Sequence, residues 1–185
     1  MSENKKSVFR KLPNDELNRP GIEEFKISKK TPVVIVLDNI RSQHNIGSAF
    51  RSADAFAIEK VVLCGICAVP PSAEIRKAAL GAEESVEWEY EKQTSDAVAK
   101  LKREGYIVIS VEQTENATIL GDFSLKEGKR YAFIFGNEVK GVAQEVIDMS
   151  DLTLEIPQLG TKHSLNVSVS IGIVLWEVVK NKTTS

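Results

Sequence analysis

The chain has 185 residues, 42% apolar and 27% charged, with 24 Lys and Arg against 26 Asp and Glu for a formal charge of −2. These values describe one globular domain with a full core and exclude collagen-like, disordered and disulfide-scaffold chains. No apolar run approaches the roughly 20 residues of a membrane helix; residues 1–10 lack a signal peptide's apolar stretch, and two cysteines suit a cytoplasmic protein.

A net charge near zero lowers the expectation of a nucleic-acid partner, but the charge is unevenly spread. Residues 1–30 hold eight basic and five acidic side chains, so this segment is +3 and residues 31–185 are −5. With Pro13, Asn14, Pro20 and Gly21 and few large apolar residues, segment 1–30 reads as an extension outside the main core. It is either a plain tail or a basic arm that contacts a polyanion.

From Thr31 onward, strand-like and helix-like patterns alternate. The continuous β-branched run 33–37 predicts a strand buried on both faces. Ile46, Ala49, Phe50, Ala53 and Ala57 then recur at helical spacing. Further strands are expected at 60–64, 85–90, 106–111, 131–135 and 152–156, and helices at 72–80, 96–103 and 143–149. This alternation implies a mostly parallel α/β sheet, whose ligands bind at the carboxyl ends of the strands. Residues 165–173 alternate apolar and polar with period two, which puts a strand slightly ahead. Val167, Ile171, Val174 and Val178 also fit a helical stripe, and Ser164 suits its N-cap.

Three polar loops follow three of these strands. In the first, Asn45-Ile-Gly-Ser-Ala-Phe-Arg51 opens a helix, with Asn45 a candidate cap. At 100° per residue, Arg51 falls about 140° from Ile46, on the open face, where an arginine suits phosphate or carboxylate. The second, Gly136-Asn-Glu-Val-Lys-Gly141, is a turn that lets a ligand approach the backbone. The third runs from Ile156-Pro-Gln-Leu-Gly160 to Ser164-Leu-Asn-Val-Ser168. Together the three loops read as one pocket. Cys64-Gly-Ile-Cys67 has no second cysteine pair or nearby histidines, so it reads as a strand end with two partly buried thiols rather than a redox or zinc site.

In order and spacing, the three loops resemble the motifs of the SpoU (TrmH-like) 2′-O-ribose RNA methyltransferases, a branch of the SPOUT superfamily. The resemblance covers roughly residues 32–180. One departure is Gln158, where many relatives carry Met. The resemblance implies an α/β fold with a mostly parallel sheet, helices on both faces and a C-terminal trefoil knot, against the usual rule for connections. It makes 165–179 a helix, despite the period-two start, and the protein a homodimer. Residues 31–185 become the methyltransferase domain.

The cofactor so implied is S-adenosylmethionine, with Gly136, Ile156, Leu159, Gly160 and Leu165 lining its pocket and no metal involved. Arg51 matches the family's catalytic arginine. Asn45, Glu138, Ser164 and Asn166 match residues that hold Arg51, the ribose or the cofactor. With a pKa above about 12, Arg51 is a poor base, and phosphate binding with alkoxide stabilisation is its expected role. His44 and His163 match no catalytic position. The expected reaction is methylation of a ribose 2′-hydroxyl in structured RNA. tRNA is placed ahead of rRNA because the chain carries a short basic arm and no separate N-terminal RNA-binding domain; neither DNA nor membrane is expected. A non-catalytic RNA-binding or assembly protein retaining the knot is the contrasting reading, and intact Arg51, Glu138 and Asn166 argue against it.

Overall fold

The β-branched run predicted to be buried on both faces forms β1 (Thr31–Asp38), inside the seven-stranded sheet of a computed structural model that describes residues 9–180. Lys5 and Lys6 of the basic segment lie outside the described residues. In chain order, α1 (Ile22–Ile27) precedes β1, which leads to α2 (Gln43–Ala55), β2 (Ile58–Cys64), α3 (Ala73–Ala79), α4 (Ala82–Ser85) and β3 (Glu87–Glu91). Then come α5 (Thr94–Arg103), β4 (Tyr106–Val111), β5 (Thr118–Ile119), β6 (Arg130–Phe135), α6 (Gln144–Met149), β7 (Leu152–Glu155) and α7 (Val167–Val179). The strand order is β3-β2-β1-β6-β4-β7-β5, and every pairing is parallel.

Residue parity along the strands divides the core in two, because successive side chains point to opposite faces. Val33, Ile35 and Leu37 of β1 pack with Ile46 and Phe50 of α2 and Ile171, Val174 and Leu175 of α7. Val34 and Val36 pack on the other face with Val98 and Leu101 of α5 and Val146 of α6. Helices therefore cover both faces, which is why β1 shows no polar alternation. The two cysteines follow the same division. Cys64 belongs to one core and Cys67 to the other, and burial pushes their thiols up to about 12 and about 11. Both are more deeply buried than expected, and Cys67 is engaged by the Leu37 carbonyl and the Ile40 N–H.

Segment 165–173 is where tertiary burial decides between two patterns. Of its alternating apolar residues, Val167 and Ile171 are buried while Val169 and Ile173 are exposed, an i, i+4 division that only a helix produces. Asn166, not Ser164, is the N-cap: its Oδ1 accepts the Ser168 N–H at 2.8 Å. A similar shift occurs at α2. Ser42 is the cap, with Oγ accepting the Asn45 N–H at 3.2 Å, so Asn45 lies inside the first turn and its side chain is released for other work. The helix ends at Ala55, and Ala57 adopts a positive φ of 48° beyond it.

Among the described α-helices and strands, three have no counterpart in the expected pattern. β5 is two residues long, too short to show a period. α4 is a single turn. α1 lies in the basic segment and carries Phe25 into the α2–α7 core, while Lys30 stands 3.1 Å from the centre of the Phe25 ring.

Candidate active site

The carboxyl ends of β1, β6, β4 and β7 are neighbours in the sheet, so the loops that follow them meet on one edge. A cavity opens there, lined by Val111 at the end of β4 and Glu112 after it, by Phe135 at the end of β6 and 136–141 after it, and by Ile156, Gln158 and 163–167 after β7.

Glu138 joins the first two loops. Its Oε2 accepts the Arg41 N–H at 3.1 Å, and its Oε1 accepts the Ser42 N–H and an Asn45 Nδ2–H, each at 3.1 Å. Asn45 is buried, and its Oδ1 accepts a hydrogen bond from Asn166 Nδ2 at 3.3 Å. One polar chain, Glu138 to Asn45 to Asn166, thus links all three motifs across 93 and 121 residues of sequence. Partial burial alone would raise the Glu138 pKa; the N–H donors around it outweigh that effect and hold the carboxyl below the usual range. A carboxylate whose pKa is depressed by folding stabilises the fold above its unfolded value and loses that contribution as pH falls through the folded one. Acid unfolding should therefore include a component beginning near the ordinary glutamate value of about 4.3. Glu138→Gln is expected to remove it, as followed by circular dichroism against pH; an identical acid limb in the variant would contradict the assignment.

The second loop turns back on itself. Asn137 and Gly141 exchange both backbone hydrogen bonds, at 3.0 and 2.9 Å, and Asn137 Oδ1 accepts the N–H groups of Val139 and Lys140. A Cβ on Gly136 would sit 2.1 Å from Gly141 C and Val142 N, so no other residue fits there without moving backbone. Gly141 has φ +68°, and a Cβ there would meet Glu112 Oε2 at 2.2 Å. That same oxygen accepts the Val142 N–H at 2.9 Å. Glu112 fixes the turn and lines the cavity, yet sequence reasoning did not single it out. An acidic residue at the carboxyl end of a predicted strand was the available signal, and its partner lies 30 residues away.

Of the ten residues singled out in the sequence, Gly136, Glu138, Ile156, Ser164, Leu165 and Asn166 line the cavity, and Asn45 reaches it through Glu138 and Asn166. Leu159 and Gly160 are not in its lining, and Leu159 is fully exposed. Arg51 is apart from it. Six residues along α2 from Asn45, it is displaced by about 9 Å and rotated by about 240°. It lines a second cavity with Arg19, Phe25, Asp54 and Leu80. His44 is exposed on the first turn of α2; His163 lines the main cavity, its carbonyl accepting a Gln113 Nε2–H at 3.4 Å. No group of three or more His, Cys, Asp or Glu that could hold a metal occurs among the described residues, and none of their helices is long and apolar enough to cross a membrane.

Comparison with known proteins adds three likenesses and a family match. A model of the SpoU rRNA Methylase family matches residues 32–176. A 23S rRNA (guanosine-2′-O-)-methyltransferase RlmB of Vibrio vulnificus is 26% identical over 178 residues, which are 96% of this chain and 71% of that protein. Among solved structures, an AdoMet-bound rRNA methyltransferase of Sinorhizobium meliloti superposes with TM-score 0.76 at 24% identity, over 83% of this chain and 57% of that one. An A. aeolicus TrmH/SpoU tRNA modifying enzyme also gives 0.76, at 20% identity, over 88% and 83%. The chain thus spans between 57% and 83% of the length of these three proteins, and the two structures share its fold.

Proposed function

Because the chain belongs to the SpoU rRNA methylase family, we propose that it is an S-adenosylmethionine-dependent methyltransferase acting on a ribose 2′-hydroxyl of RNA. The observation that carries the proposal is the Glu138–Asn45–Asn166 chain, which ties the three motifs to the rim of one cavity. The cavity suits the cofactor chemically. Ile156 and Leu165 supply apolar surface for a nucleobase, Glu112 and Gln113 supply polar groups for hydroxyls, and the 136–141 turn presents backbone. When bound, S-adenosylmethionine supplies a methyl group on a positively charged sulfur, already an excellent leaving group.

The protein's task is then to place the hydroxyl in line and stabilise the charge that develops as its proton leaves. Glu138 and Asn45 orient the rim, Asn166 and Ser164 face the substrate or cofactor, and Arg51 binds the neighbouring phosphate and the developing alkoxide. We read 31–185 as the catalytic domain, 1–30 as an extension contacting RNA, and the cytoplasm, where buried free thiols stay reduced, as its setting.

For the substrate, the comparisons change the expectation. The family model is named for rRNA and the Vibrio relative for 23S rRNA, whereas a tRNA enzyme appears at 20% identity. We place rRNA first. Labelled methyl donor with unmodified rRNA and tRNA, followed by nuclease mapping, tests both; folded protein that labels neither RNA would refute the enzymatic reading in favour of a binding protein.

Two features support finer structure. β7 enters the sheet between β4 and β5, so the 112–129 connection passes outside the strand that leads to α7, as a knotted C-terminus requires. Along α7, Val169, Ile173 and Trp176 form an exposed apolar stripe, and Arg51 stands apart from the cavity within one chain. A homodimer accounts for both, covering the stripe and letting each subunit supply Arg51 to its partner's cavity. Ile173→Glu should raise the dimer dissociation constant by on the order of 100-fold, since it buries a charge at the seam. Sedimentation at micromolar concentration reads the outcome, and a variant as dimeric as the wild type would count against the seam.

A further inference from the structure

The second cavity contains a feature that the family motifs leave unused. Its walls come from α2, from the α3–α4 turn and from the basic N-terminal segment, and it holds two exposed arginines, Arg19 and Arg51. Neither forms an ion pair among the described residues. The cavity's carboxylate, Asp54, is already engaged: its Oδ2 accepts the Ser85 hydroxyl at 2.6 Å, and Lys30 lies close enough to feel its charge. Nearby on α4, Glu84 is paired with Arg76 at 3.1 Å. Two arginines against one aspartate leave the cavity's lining with one net positive charge.

The position of Arg19 is built into the chain around it. Asn18 adopts the left-handed region with φ +48°, and Pro20 restricts Arg19 to extended backbone. Immediately beyond, α1 is fastened to the body by buried Phe25. The Phe25 carbonyl accepts from Lys30 Nζ and from the Ser28 hydroxyl. On the other side, Arg10 and Glu16 close the preceding turn with two hydrogen bonds. A short, fastened segment thus delivers one arginine to the cavity that holds Arg51.

We infer that Arg19 and Arg51 together form a phosphate-binding clamp for the RNA backbone next to the methylated nucleotide, with Arg19 the positioning residue contributed by the N-terminal segment. Planar guanidinium groups bind phosphodiester oxygens through paired hydrogen bonds, and two of them in one cavity fix the strand's register rather than merely attract it. This inference rests on the RNA methyltransferase reading above.

The test uses the full-length chain with an in vitro transcribed, unmodified 23S rRNA. Arg19→Ala should raise the RNA KM by about tenfold or more, the loss of one charge-assisted contact. The kcat at saturating RNA and the dissociation constant for S-adenosylmethionine should not change. The slope of log affinity against log salt should fall by about one. Arg19→Lys, which keeps the charge but not the paired hydrogen bonds, should restore the salt slope while recovering only part of the affinity. An unchanged KM and salt slope, a loss confined to kcat, or weakened cofactor binding would each overturn the clamp. RNA affinity measured by fluorescence anisotropy separates the two ideas: if the wild type binds RNA without methylating it, the enzymatic reading fails, while the Arg19 effect on binding still decides the clamp.

Discussion

Arg51→Ala is expected to lower kcat/KM for RNA by on the order of 100- to 1000-fold, the usual cost of removing one donor aimed at a developing oxyanion. S-adenosylmethionine affinity should stay as in the wild type, because Arg51 does not line the cavity proposed for the cofactor. The structure makes a sharper form of the experiment possible. If Arg51 acts in the partner's cavity, mixing Arg51→Ala subunits with Gly136→Ala subunits should restore activity. The second variant is chosen because any Cβ at position 136 collides with backbone 2.1 Å away. Random exchange makes half the dimers mixed, and each mixed dimer holds one intact pair, so recovery should reach about one quarter of wild-type activity. Two inactive proteins that stay inactive together would place Arg51 and the cavity in the same subunit or remove Arg51 from the chemistry.

Glu138→Ala should be nearly as damaging, for a different reason. Three donors converge on this carboxylate, two from the backbone before α2 and one from Asn45. Without it the Asn45 amide loses an acceptor, and the loop between β1 and α2 keeps only the Asn137 Nδ2–H to Asn39 carbonyl bond, at 2.7 Å, to the 136–141 turn. A displacement of about 1 Å in a group that positions reactants costs on the order of 100-fold in rate. The loss should appear in kcat as well as KM, and stability at neutral pH should fall by the contribution that the depressed Glu138 pKa represents. Glu138→Gln, which keeps one carbonyl oxygen, should fall between. An Ala variant with wild-type kcat would show that the link between the loops is structural only.

Much of this architecture was legible before any coordinates. The runs 33–37, 106–111 and 131–135 appear as strands within two residues of the expected limits, because strands buried on both faces must be apolar throughout. The loops after β1, β6 and β7 were recognisable for the complementary reason: polar and glycine residues interrupting such a pattern have a local cause, as the collision at Gly136 illustrates. The caps were less legible. Asn45 and Ser164 are good capping residues by type, but Ser42 and Asn166 hold those positions, since the helix start is set by which turn packs rather than by which residue prefers to cap.

What the amino-acid order determined alone was therefore the fold class, the loop motifs and the family resemblance, all of which are local patterns of spacing and polarity. Tertiary structure decided the rest. It made 167–179 a helix, because a core waited on one face for Ile171, Val174 and Leu175. It brought Glu112 to Val142 and Asn166 to Asn45, contacts that no local period encodes. It also set Arg51 in a second cavity, whose lining includes Arg19, away from the cavity that the motifs line, because a helix carries Asn45 and Arg51, six apart, to different faces and heights.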